Sequence, residues 1–183
     1  MRTYTYPELR AEFKRLGYQW PFFHLIGVRS KADLVNKFDD KFYLIIGGQI
    51  KEYEGTTNPG TYWHENYDPK KGGVAVLKEG QWLNCWTLGK HRGLYDAWVQ
   101  AKPVTVYRDS DKDGKSEKTE VKQHGMFGIN VHRAAQNSIS KWIDRWSGGC
   151  PVINAGKRYE EEFIPLSKDS GQKFFTLTIL DEF

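Results

Sequence analysis

The apolar positions of the chain fall into one helical pattern near the amino terminus and several short runs typical of strands. Leu9, Phe13 and Leu16 recur at i, i+4 and i+7, and Gly17 ends the run. Thr5-Tyr6-Pro7-Glu8 ahead of it reads as a capping box, with Thr5 as N-cap and Glu8 three residues on. The spacing predicts an amphipathic helix over Thr5–Leu16 whose apolar face docks on the rest of the fold. A second short helix is expected over Lys31–Phe38. Ile139, Trp142, Ile143 and Trp146 at i, i+3, i+4 and i+7 predict another within Ala134–Trp146, stopped by Ser147-Gly148-Gly149.

The other patterned segments alternate or run apolar for four to seven residues. Phe42–Ile46, Gly47-Gly48 and Gln49–Tyr53 read as a hairpin. Further strands are expected over Gly72–Leu77, Val104–Tyr107, Phe127–Val131 and Phe174–Leu180. Many short strands bounded by Gly and Asp turns, with little helix between them, predict a mostly β (α+β) fold: an antiparallel β-core with the N-terminal helix packed on it. A length of 183 residues fits a single domain. Within it, 1–40 reads as a helical N-terminal extension and 41–183 as the β-domain.

Composition narrows the classes. Aromatic residues make up 15% of the chain, which excludes disorder as its main state. Mean hydropathy is −0.67 and no apolar run is long enough for a membrane span. The net charge is only +4, and Lys115, Glu117, Lys118, Glu120 and Lys122 mix both signs. This is a solvated surface, not the basic stripe of a nucleic-acid binder. The first residues lack the apolar core of a signal peptide, so the chain is expected to be made in the cytoplasm. Nothing in the composition sets an oligomeric state.

Two cysteines cannot build a disulfide scaffold. Cys85, in Trp82-Leu83-Asn84-Cys85-Trp86, reads as a small core thiol. Cys150 follows Ser147-Gly148-Gly149, where glycines let backbone N–H groups converge near a sulfur, as a thioester-forming nucleophile requires. Its base would be one of His24, His64, His91, His124 and His132. His132 ends a strand-like stretch, with Asn130 expected on the same face by alternation. His124 is the fallback.

Cys150 lies eighteen residues after His132 and closes Ser147-Gly148-Gly149-Cys150. This order resembles the L,D-transpeptidase (YkuD-like) signature of a strand-end His, a variable stretch, then Ser/Thr-His-Gly-Cys. Thr57-Asn58-Pro59-Gly60-Thr61-Tyr62 is similar to the family's Thr-Pro-x-Gly-x-Phe/Tyr segment. The resemblance spans roughly Lys41 to Ile153. It implies Cys150 as nucleophile and His132 as base, with the imidazole oriented by the Arg133 carbonyl. It also implies an oxyanion hole at Gly149 and Cys150, and a substrate site that includes Tyr62, Asn130, Ser147 and Gly148. Gly148 stands where the family usually has His, and Pro151-Val152 replaces its x-Arg pair, so Arg133 or Arg92 would hold a substrate carboxylate. The implied activity is acyl transfer or hydrolysis on peptidoglycan stem peptides, as a transpeptidase, carboxypeptidase or endopeptidase, with no cofactor required. A phage-type member would reach the wall through lysis or as a virion component. The contrasting class is a non-catalytic wall-binding or virion structural module on the same fold.

Asp109-Ser110-Asp111-Lys112-Asp113-Gly114, with Glu120 at position 12 of that count, satisfies the written EF-hand pattern. Strands are expected to flank it where an EF-hand has helices. Two readings stand: a structural Ca²⁺ loop ligated by Asp109, Asp111, Asp113 and Glu120, or an acidic hairpin loop without an ion.

Overall fold

A computed structural model describes residues 1–183. It contains three α-helices, α1 (Tyr6–Leu16), α2 (Thr61–Glu65) and α3 (Ile164–Asp169), and eleven strands. The strands are β1 (Phe23–Arg29), β2 (Asp40–Ile46), β3 (Gln49–Thr56), β4 (Val74–Leu77), β5 (Gly80–His91), β6 (Tyr95–Gln100), β7 (Val104–Asp109), β8 (Lys122–Gly125), β9 (His132–Arg133), β10 (Val152–Ile153) and β11 (Phe175–Asp181). A π-helical turn, Tyr159–Phe163, leads into α3.

The capping box of α1 forms: Thr5 N–H donates to Glu8 Oε2 at 2.8 Å, and Gly17 closes the helix in the left-handed region. Its apolar face, Leu9 and Phe13, packs on Ile26 and Val28 of β1, Tyr43 and Ile45 of β2, and Leu180 of β11. The alternate residues Leu25, Phe42, Leu44, Leu177 and Ile179 point to the opposite face and form the main core with Trp86, Trp98 and Phe175.

Eight strands form one sheet in the order β6-β5-β11-β1-β2-β3-β10-β9. Trp98 of β6 and Val131, just ahead of β9, exchange backbone hydrogen bonds of 3.1 and 2.8 Å, so the two edges of the sheet meet and it closes on itself. The remaining strands form a sheet β4-β7-β8 whose Leu77, Val104 and Val106 join the main core.

The fold is mostly β, as expected, but the sheet is mixed: β1 runs parallel to β11 and β9 parallel to β10. β1 lies in the interior of this sheet, so the first 40 residues are part of the β-body and no extension separates from it at residue 40. Neither further predicted helix forms. In 31–38, Asp33 and Asn36 take positive φ, and the carboxylate of Asp39 accepts from Leu34 N–H, competing with helical bonding. In 134–146, Asp144 takes positive φ and its N–H donates to Asn36 Oδ1. Only Ile143 of that stripe is fully buried; Ile139, Trp142 and Trp146 are exposed. The strand expected over Phe127–Val131 is also irregular, with pairing confined to the single bridge at Val131.

Candidate active site

Cys150 and His132 are brought together by the shortest strands of the fold. β10 pairs antiparallel with β3, Val152 opposite Thr56, and parallel with β9, Val152 opposite His132. Cys150 enters β10 from the Ser147–Gly149 turn. Ser147 is fully buried; its Oγ donates to Cys150 O at 2.8 Å and accepts Gly149 N–H at 3.2 Å. Gly149 has φ +118°, and a Cβ there would meet the Ala75 carbonyl oxygen of β4 at 2.4 Å. Only glycine reaches this conformation and approach without strain. Gly60 N–H donates to Ser147 O at 2.9 Å, so the Asn58-Pro59-Gly60 segment braces the cysteine turn.

The His132 imidazole is buried. Nδ1 lies 2.9 Å from the Arg133 carbonyl oxygen and 3.2 Å from Tyr95 Oη, and that hydroxyl itself donates to the same carbonyl. The network assigns the proton to Nδ1 and leaves Nε2 as the basic nitrogen. Burial, with the stacked His91 and the Arg92 and Arg133 cations, holds its pKa down to about 3. The His91 ring stacks on it at 3.9 Å between centroids, and Asn130 Nδ2 lies 3.2 Å from His91 Nδ1.

Cys150 is half-buried. Its Sγ accepts Asn130 N–H at 3.4 Å and donates to Gly128 O at 3.5 Å. Burial pushes the thiol upward, opposed by the Asn130 N–H and by Arg92. Thiol and imidazole therefore rest neutral at pH 7. Both line one open cavity of about 830 Å³, and they form no hydrogen bond to each other in this state.

Other expected site residues divide. Arg92, exposed in the turn after β5, Asn130 and Gly148 line the cavity. Tyr62 does not: it stands edge-on to Trp63, under the Arg145 guanidinium, and Trp63 takes the cavity wall. Arg133 points away, paired with Glu160 at 2.9 Å over the Tyr95 ring, so only its carbonyl serves the site. The Gly149 N–H is committed to Ser147, whereas Cys150 N–H donates to no protein group and is free to donate. Cys85 is buried in the core. His91 was one of five histidines in the sequence with nothing to distinguish it; the β5–β6 hairpin carries it onto His132.

The acidic loop gathers a different ligand set from the expected one. Carboxylate oxygens of Asp111, Asp113 and Glu117 lie within 4.8 Å of one another. Asp109 is turned inward, accepting from the N–H groups of Asp111 and Glu117. Thr119 Oγ1 donates to Arg108 O at 2.9 Å, drawing the chain back toward β7 and leaving Glu120 outside the group. No helix is long and apolar enough to cross a membrane. No protein-family model, curated protein or solved structure matches the chain.

Proposed function

We propose that this protein is a cysteine-dependent acyl-transfer enzyme of the L,D-transpeptidase type, acting on peptidoglycan stem peptides. The observation that carries the reading is His132: its Nδ1 is bound by the Arg133 carbonyl and its ring lines the same cavity as Cys150. A strand-end His, oriented by the next carbonyl and set beside a Gly-Gly-Cys turn, is what the resemblance implies.

Because both groups rest neutral, attack and proton transfer occur together. Sγ bonds to the scissile carbonyl carbon as Nε2 takes the thiol proton, and Cys150 N–H donates to the developing oxyanion. The C–N bond then breaks, with the imidazolium returning its proton to the leaving amine. The thioester passes its acyl group to an amine or to water by the reverse sequence.

One observation favours a second reading, a non-catalytic wall-binding or virion structural module. Sγ is satisfied by Gly128 and Asn130 and makes no hydrogen bond to the imidazole. Purified muropeptides incubated with the protein and analysed by mass spectrometry separate the two. The enzyme reading requires loss or exchange of a terminal amino acid, or cleavage of a cross-link. It also requires Cys150→Ala and His132→Ala to abolish turnover while folded, and His124→Ala, on exposed β8, to keep it. Should the parent protein turn over no muropeptide, the binding-module reading replaces it.

A further inference from the structure

The cavity beside Cys150 carries more positive charge than its own carboxylates balance. Lys70, Lys71, Arg92 and Arg108 line it against one acid, Asp68, and none of the four cations forms an ion pair. Asp68 is itself occupied, accepting from Lys70 N–H. Three of the cations are on exposed turns, where lack of a partner costs little. Arg108 is different: it is 6% exposed.

A buried guanidinium without a counter-ion is costly, and structural ones are normally paired. Arg108 is held only by neutral groups. Nε donates to Gln123 Oε1 at 2.8 Å, Nη1 to the Gly73 carbonyl at 3.4 Å, and the Phe127 ring lies 4.9 Å from its carbon Cζ. Nη2 donates to no protein group. The guanidinium is thus pinned at Nε and Nη1, and Nη2 is left to donate to a ligand oxygen. Its position is close to the chemistry. Arg108 of β7 is opposite Ala75 of β4, and Ala75 is the residue against which Gly149 packs.

We infer that Arg108 is the anchor for a carboxylate of the ligand held beside Cys150, which makes this an acidic-peptide site; identifying that ligand as a stem peptide rests on the function proposed above. Arg108 acts by binding the free carboxylate through Nη2, and Gln123 is the residue that positions it.

Calorimetry on the Cys150→Ala protein tests this without turnover. The probes are L-Ala-γ-D-Glu-L-Lys-D-Ala and the same peptide with its carboxylates converted to carboxamides. The acid form should bind at least about tenfold more tightly, the scale of one charge-assisted hydrogen bond. Arg108→Met should abolish that preference. Gln123→Glu, which supplies the missing counter-ion in place, should abolish it too and keeps the test decisive if Arg108→Met fails to fold. Equal binding of the two peptides, binding of neither, or loss of the preference in Arg92→Met but not in the Arg108 and Gln123 variants would overturn the assignment. A preference that depends on Arg108 in a protein that turns over no muropeptide would leave the assignment standing and remove the enzymatic reading.

Discussion

Acidification should destabilise this protein mainly through its buried histidines. His24 is fully buried, with Nδ1 2.7 Å from the Pro21 carbonyl, and burial holds it down to about 4. His91 is held down to about 4 and the stacked His132 to about 3, each from an ordinary value of 6.5. Between 6.5 and these values the unfolded chain binds protons that the folded one does not, so stability falls as the pH falls. From pH 7 to pH 5 each of the three imidazoles costs about 2 kcal/mol, about 6 kcal/mol together. Asp40 works in the opposite direction. Burial raises it from 3.8 to about 6, so its folded form binds a proton first, and it returns about 1 kcal/mol over the same range. The net loss of about 5 kcal/mol is comparable with the whole stability of a domain. Urea unfolding followed by tryptophan fluorescence at intervals from pH 5 to pH 8 measures it. His132→Gln should shift the midpoints and, independently of that shift, reduce the pH slope near pH 5 by up to about one proton. A flat profile, or a slope that His132→Gln leaves unchanged, would refute the claim that these imidazoles are buried neutral.

Gly149→Ala must fit a side chain at φ +118° against a carbonyl oxygen 2.4 Å away, and is expected to lose about 1–3 kcal/mol in urea unfolding, with displacement of Cys150 read as loss of any muropeptide turnover. Millimolar Ca²⁺ is expected to raise the melting temperature through the oxygens of Asp111, Asp113 and Glu117, and Glu117→Gln, unlike Glu120→Gln, to remove the rise; no shift in the parent protein would leave a hydrated loop.

The elements legible in the sequence are those whose signals are local. A capping box and a glycine bound α1, and the Gly47-Gly48 turn with its flanking apolar runs marks β2 and β3. β1 carries no such signal because α1 covers one of its faces and the main core the other. All seven of its residues are buried, so no alternation remains to be read, and His24, Gly27 and Arg29 interrupt the apolar run. The false helix over 134–146 shows the converse: a helical spacing of apolar residues with no surface to bury most of them on. At the site, His132, Cys150 and the Arg133 carbonyl were expected together only through the family resemblance, and the adjacency of β9 and β10 in the sheet brings the two side chains to one cavity. His91, Trp63 and Arg108 arrive from a hairpin, a short helix and a second sheet far away in sequence. Their side chains carry no local pattern; they meet because the closing of the large sheet and the packing of the small one bury the same core. The sequence alone therefore determined α1 and five of the eleven strands, β2, β3, β4, β7 and β11. The charge of the cavity and the partners of each group were decided by tertiary packing, since burial and long-range contact set them and neither is a property of neighbouring residues.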